Sequence, residues 1–455
     1  MRETTKIYKN SLIYSLGNFG SRILTFIMFP IYSYYLSTSQ YGQYDLITAM
    51  MSLILPLLTL QIPESIMKFI SEEKREVVIK TSLVMCTISI VVSGLIGTIL
   101  SSILNCSFLI LIWLELQLIQ SYLLQITRAL MKNKVYSFCS ILSTFVMAIS
   151  TLILLIKFNL GVNALIMGGI ISVFCGIIYL AVKCDLINWI IRKNFSKKLL
   201  RRMINFSVPL IPTAIIWWLM NSSDKYVINY FLGQSFNGIY AISYKFPTII
   251  TILYGFYNLA WQDHVLLSKD KVDYQTIFTQ FAHFIVYISI VVMYGAKFVT
   301  LYMVNSAYKE AYLYIPPLII GMIFYCFSGF WGIAYRKNNQ TQKEMFTSVL
   351  GAVINVLINV ALIKFIGLWA AALSTMISFI IVAYIRYQDT STYFNLKQNY
   401  LKIFKTLFIY CIFMGIYYID NFYIISFALV ISIIIFGQKN RFMIRDIIAI
   451  FQLKR

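Results

Sequence analysis

The sequence predicts an all-α integral membrane protein of about fourteen transmembrane helices. Of its 455 residues, 60% are hydrophobic and only 12% are charged, against about 25% charged in a typical soluble domain. Apolar runs of the roughly 20 residues that cross a bilayer recur along the whole chain. Lysine and arginine gather in every second connection, as they do on the cytoplasmic side of a membrane.

The runs fall near 10–36, 44–68, 77–101, 106–130, 135–156, 162–183, 205–232, 239–266, 276–301, 310–335, 343–364, 368–387, 402–418 and 422–437. Arg2, Lys6 and Lys9 precede the first run like the basic start of a signal peptide. That run has no small-residue cleavage site and many successors, so it reads as the first span. With the N-terminus cytoplasmic, 30 of the 38 basic residues fall at inner ends and connections. Only Lys157, Lys297, Lys309 and Lys364 fall outside, and the C-terminus returns to the cytoplasm. The last two runs are short and joined at Ile419-Asp420-Asn421, which leaves a re-entrant pair open.

The charge of +21 would suggest nucleic acid in a soluble protein. Here it lies beside the membrane, where it anchors topology, so no nucleic-acid partner is expected. The richest connection holds Arg192, Lys193, Lys197, Lys198, Arg201 and Arg202. The seven cysteines are scattered without metal-ligand or redox spacing and read as apolar filler. No metal, cofactor or catalytic constellation is expected, and no nucleotide-binding loop is present. The chain does not read as an enzyme.

Two repeats divide the chain. Tyr34, Leu36, Ser39, Gly42 and Tyr44 recur as Tyr230, Leu232, Ser235, Gly238 and Tyr240, five identities in an eleven-residue segment. Ile156-Lys-Phe158, then Gly161 and Ala164, recurs as Ile363-Lys-Phe365, then Gly367 and Ala370. These predict an N-terminal six-helix bundle over 1–183, a basic linker over 184–204, a C-terminal six-helix bundle over 205–390, and two extra helices with a tail over 391–455. Parallel repeats of this kind relate by a pseudo-twofold axis normal to the membrane, with the substrate site near the midplane. All eight prolines fall in or at the ends of spans.

Ionisable groups within spans are costly and mark function. Arg22 sits near the middle of span 1, level with Leu58 across its hairpin, so it needs a partner from another helix, water or an anionic ligand. Glu64 and Lys68 stand four apart on span 2, the favourable order for a helical pair. Asp224 and Lys225 lie on span 7. Lys245 of span 8 is level with Asp224, so an Asp224–Lys245 pair and a cluster of two cations with one anion are both open. Gln117, Gln120, Ser121 and Arg128 share one face of span 4, as cavity wall or as interhelical contact. Glu115 lies off that face, and His283 stands alone on span 9. The acids counted within spans are Glu64, Glu115 and Asp224. The cations Arg22, Lys68, Lys225 and Lys245 fall on spans 1, 2, 7 and 8, matching helices of the two halves, and would make an anion-attracting cavity.

Phe29-Pro-Ile-Tyr-Ser-Tyr-Tyr-Leu-Ser-Thr-Ser-Gln-Tyr-Gly-Gln-Tyr44 resembles the first-span signature of bacterial polysaccharide flippases. These are the Wzx-type O-antigen and capsule repeat-unit transporters, in the superfamily that includes multidrug and toxin extruders and lipid II flippases. Ser223-Asp-Lys225 with Gly238-Ile-Tyr240 resembles their seventh-span pattern. Ile62-Pro-Glu-Ser-Ile-Met-Lys-Phe69 and Gly367-Leu-Trp-Ala-Ala-Ala-Leu-Ser-Thr375 are similar to their second-span end and twelfth-span entry. Lysine replaces the family's frequent arginine at positions 68 and 225.

The resemblance implies a plasma-membrane transporter of undecaprenyl-pyrophosphate-linked oligosaccharide, moving it from the inner to the outer leaflet by alternating access. Its partners would be the lipid-linked substrate, membrane lipid and the polymerase of surface polysaccharide assembly. Coupling to a proton or sodium gradient, or to the membrane potential, stays open. The alternatives are a cation-coupled exporter of small molecules and a lipid II flippase. Excess basic charge argues against the exporter, and the lack of a large outer loop argues against a membrane polymerase.

Overall fold

The computed structural model describes residues 20–104, 107–185, 188–189, 194–267, 274–338, 340–391, 393 and 400–440, and regular structure among them is helical. Arg2, Lys6, Lys9, Arg192, Lys193 and the basic tail lie outside the described residues. The chain divides into two compact units, Met1–Ser222 and Ser223–Arg455.

The first unit holds α1 (residues 20–35), α2 (Thr38–Leu58), α3 (Ile62–Glu72), α4 (Arg75–Leu104), α5 (Phe108–Ala129), α6 (Asn133–Phe158), α7 (Val162–Lys183) and α8 (Lys197–Ser207). The division falls inside α9 (Ile211–Phe231). The basic connection thus belongs with the first unit, because α8 buries Leu199 and Met203 in the cluster of Ile62, Ile66, Phe69, Val78 and Ile79. The second unit continues with α10 (Gln234–Lys245), α11 (Pro247–Leu267), α12 (Tyr274–Tyr302), α13 (Ala311–Lys337), α14 (Thr341–Ile366), α15 (Leu368–Thr390), α16 (Tyr400–Tyr417) and α17 (Phe422–Lys439).

Ten described helices are long and apolar enough to cross a membrane, eleven when the bent pair α2–α3 counts as one. With α1, the α10–α11 pair and α16 they occupy the fourteen predicted positions. Span 2 is bent by 43° between α2 and α3. Pro56 withholds an N–H inside α2, Leu60 and Gln61 take positive φ, and Pro63 starts α3. Proline is tolerated in the first helical turn, where its N–H has no partner anyway.

The second sequence repeat makes the same turn twice. Gly161 (φ 55°, ψ −128°) opens α7, and Gly367 (φ 57°, ψ −136°) opens α15. A side chain would clash in this backbone region, which glycine alone enters freely. The first repeat is capped differently in its copies. Ser37 and Gln40 form a capping box before α2, whereas Gly233 (φ 94°) precedes α10.

Close helix packing in the first unit rests on small residues of α7. A Cβ on Gly169 would meet the Trp113 ring at 2.5 Å, and one on Gly176 would meet Gln120 Nε2 at 2.4 Å. Small residues let membrane helices approach where no hydrophobic force drives them together. In the second unit α13 is the most buried helix. Its Pro316 and Pro317 lack the N–H groups that would bond the carbonyls of Tyr312 and Leu313, four residues back. Tyr417 and Tyr418 of the α16–α17 hairpin supply the missing donors, at 2.8 and 3.2 Å.

Lys297, assigned by charge counting to the outer side, is fully buried in α12. Its ammonium donates to the carbonyls of Tyr417 and of Ile419, the latter at 2.9 Å. It closes the carbonyl end of α16, where a cation is favoured. The C-terminal hairpin is therefore docked on α12 and α13.

Candidate functional site

The most polar buried constellation surrounds Asp224 on α9. Its carboxylate is 4% exposed and receives four neutral donors from three other helices. Oδ2 accepts from the Tyr240 hydroxyl of α10 at 2.9 Å and from Thr375 Oγ1 of α15 at 2.8 Å. Oδ1 accepts from Asn359 of α14 at 2.9 Å. With its amide assigned so that both ends bond, Asn355 donates to Oδ1 at 2.9 Å and accepts from the Thr375 N–H at 3.3 Å. A carboxylate offers about four acceptor sites, so this one is saturated. The donors hold the anion in place, since a bare buried charge would be far too costly.

The local sequence explains the assembly. Asn355 and Asn359 are four apart, so they share a face of α14 in the otherwise apolar Val353-Ile-Asn-Val-Leu-Ile-Asn-Val360. Thr375 stands seven residues after the Leu368 start of α15, and Tyr240 is the last identity of the first sequence repeat. The expectation for Asp224 was Lys245 or a mixed cluster. The donors observed are neutral, while Lys225 and Lys245 are half-buried on α9 and α10.

The first unit arranges its polar groups differently. Glu64 and Lys68, expected as a helical pair, turn to other partners. Glu64 accepts from Gln125 Nε2 at 3.1 Å, and Arg128 donates to Gln125 Oε1 at 3.4 Å. This joins α3 to α5 through a Glu64–Gln125–Arg128 relay that sequence reading missed. The Lys68 ammonium lies 4.2 Å from the Phe206 ring centroid and 5.5 Å from that of Phe69, a cation–π placement. Gln120 donates to Ser143 at 3.4 Å and packs on Gly176, which makes it an interhelical contact. Gln117 lies half-buried on the same helix.

Arg22 is exposed on α1 and takes part in none of the described hydrogen bonds or ion pairs. Asp45, 9% exposed on α2, is a further acid within a span that the count from sequence left out. No group of three or more His, Cys, Asp or Glu side chains gathers among the described residues.

A second buried network closes one end of the second unit. Arg386, assigned by charge counting to an inner connection, is 7% exposed within α15. It donates to Thr347 Oγ1 (3.0 Å), the Ser328 carbonyl (3.2 Å), the Glu344 carbonyl (3.1 Å) and Ser348 Oγ (2.8 Å). Glu344 takes Arg336 in a two-pronged bridge at 2.9 and 2.7 Å. A Cβ on Gly332 would approach the Arg386 guanidinium at 3.0 Å. The fork ties α13, α14 and α15 together as a lysine could not.

Comparison with known proteins places this arrangement. The sequence model of the family described as "Polysaccharide biosynthesis protein" matches residues 7–261. No curated protein sequence matches the chain. Among solved structures, the lipid II flippase MurJ in an inward closed conformation is similar with a TM-score of 0.64 at 16% identity, over 96% of this chain and all of that one. A MATE transporter in complex with MaL6 gives 0.62 at 12% identity, over 86% of this chain and 96% of that one. An inward-facing multidrug resistance MATE family transporter of the MOP superfamily gives 0.60 at 11%, over 82% and 94%. At such identities the likeness is one of fold. The chain belongs to the polysaccharide biosynthesis protein family and shares its fold with these MurJ and MATE structures.

Proposed function

We propose that this protein flips undecaprenyl-pyrophosphate-linked oligosaccharide from the cytoplasmic to the outer leaflet of the bacterial plasma membrane. The product feeds surface polysaccharide such as O-antigen or capsule, and the polymerase of that assembly is the expected partner. Both termini lie in the cytoplasm, and the chain does no covalent chemistry. The family match carries the reading. The in-span charges support it. Arg22, Lys68, Lys225 and Lys245 are cations at span depth, whereas Asp224 is engaged by neutral donors. A pyrophosphate carries at least two negative charges, and positive groups on span walls attract it.

Asp224 is the candidate coupling group. Asn359 donates to it through Nδ2 and keeps a buried Oδ1 with no donor among the described residues. A proton or sodium would take its place on the carboxylate as one of the four donors turns away. A cation-coupled exporter of small molecules is the second reading, and the same carboxylate favours it.

The test is complementation of a strain lacking its own repeat-unit flippase. Restored surface polysaccharide supports the first reading. No restoration, together with raised resistance to cationic drugs, supports the second.

A further inference from the structure

We propose that α8 is a docking surface for anionic phospholipid headgroups of the cytoplasmic leaflet. Helix runs on from Lys197 to Phe231 as one candidate span of 35 residues. At 1.5 Å per residue that is about 50 Å, longer than the ~30 Å hydrocarbon core and than the ~40–45 Å bilayer with its headgroups. The 21 residues of α9 suffice to cross. Hence α8 emerges at headgroup level, on the inner side by the distribution of basic residues.

Three faces of α8 do different things. Leu199, Met203 and Ser207 are buried in the first unit. Arg202, on one edge, meets Glu72 at 3.0 Å and Glu73 at 2.5 Å. The other edge carries Lys197, Arg201, Ile204 and Val208, at spacings of four, three and four, so they form one stripe. Lys197, Arg201 and Val208 are exposed. The stripe runs from charged to apolar toward α9, the same order as headgroup to hydrocarbon. Lys198 is exposed beside it, and Phe195 stands 44% exposed just before the helix.

Charge sorting separates docking from plain solvation. The segment Lys197–Ser207 contains no acid. The acids close by are engaged elsewhere, Glu72 and Glu73 by Arg202 and Glu76 by Asn194 at 2.8 Å. Lys197, Lys198 and Arg201 make no described ion pair. Each Lys or Arg held at an anionic membrane surface contributes about fivefold in affinity, so three together give on the order of a hundredfold.

The test uses the full-length protein in a zwitterionic detergent, titrated with phosphatidylglycerol or phosphatidylcholine. Lipid adducts are counted by native mass spectrometry, and thermal midpoints are recorded in parallel. The wild type should prefer phosphatidylglycerol at least tenfold, and the preference should fall as salt rises. Lys197→Gln/Lys198→Gln/Arg201→Gln should erase the preference and leave the lipid-free midpoint unchanged. If that variant does not fold, Lys198→Gln/Arg201→Gln should lower the preference by at least fivefold. Arg202→Gln should lower the lipid-free midpoint yet keep the preference. At matched ionic strength, inorganic phosphate should compete with neither lipid. The proposal is overturned if the folded multiple variant binds phosphatidylglycerol within twofold of the wild type. Loss of the preference in Arg202→Gln alone, or equal competition by phosphate, overturns it as well.

Discussion

Asn359 on α14 donates its side-chain amide to Asp224 on α9 at 2.9 Å, across 135 residues of sequence. With Asn355, Tyr240 and Thr375 it makes the carboxylate a meeting point of four helices. Hydrogen bonds to a charged group contribute about 1.5–3 kcal/mol each. Replacing the anion therefore tests both the cage and the coupling. Asp224→Leu should lower the thermal midpoint most, because it leaves four buried donors without an acceptor. Asp224→Asn keeps the shape and part of the bonding, so it should fold and reach the membrane while surface polysaccharide falls at least tenfold. Full export by Asp224→Asn would remove Asp224 from coupling. An unchanged midpoint in Asp224→Leu would deny the cage any structural role.

The spans were legible because lipid imposes long apolar runs, and the repeats were legible because Gly161 and Gly367 hold a turn that other residues resist. Asp224 stood out as an acid in an apolar run. Its partners did not, although Asn355 and Asn359 at helical spacing on an apolar span were a usable signal. Thr375 gave none, since threonine is ordinary in membrane helices. Lys68 was misread because its partner, Phe206, depends on where α8 docks. Lys297 and Arg386 are buried, whereas charge counting gave each only a side of the membrane. A cation near a span end counts toward the adjoining connection, and the sequence alone does not show that packing buries it. Their carbonyl acceptors are created by packing, and no residue type announces them.

The Arg386 fork should be the least replaceable feature of the second unit. Lysine keeps the charge but cannot reach four acceptors set around a planar guanidinium. Arg386→Lys should therefore cost about 3 kcal/mol or more, from at least two lost charge-assisted bonds. Thr347→Val, which removes one acceptor, should cost about half as much. Denaturant titration of the purified protein measures both. Arg386→Lys within about 0.5 kcal/mol of wild type, the range usual for surface changes, would show that the network is not holding α13, α14 and α15.

Pro316 and Tyr417 should be energetically coupled although their side chains do different jobs. Pro316 leaves the Tyr312 carbonyl without its helical donor, and Tyr417 supplies one at 2.8 Å. Tyr417→Phe should cost about 1 kcal/mol in the wild type. In a Pro316→Ala background the new N–H bonds that carbonyl within the helix, so the same change should cost clearly less. A double-mutant cycle reads the difference directly. Strictly additive costs would mean that the hydroxyl does not replace the missing N–H.

Arg22 is the sharpest test of the transport reading. It lies at span depth on α1, is exposed, and takes part in none of the described ion pairs. A cation facing lipid at the centre of a span costs about 2.5–3.5 kcal/mol on insertion scales. Retaining it there without a partner among the described residues implies water or an anionic group beside it for part of the transport cycle. If that group is the substrate's pyrophosphate, the sign of the charge matters most and the fork geometry second. Arg22→Glu should abolish surface polysaccharide in the complementation strain at normal membrane levels of the protein. Arg22→Lys should retain part of it, because the charge survives while the two-pronged phosphate contact does not. Arg22→Ala should fall between Arg22→Lys and Arg22→Glu. Full export by Arg22→Ala would take Arg22 out of substrate binding. Equal loss in Arg22→Lys and Arg22→Glu would mean that a specific arginine contact, and not attraction of an anion, is what the position supplies.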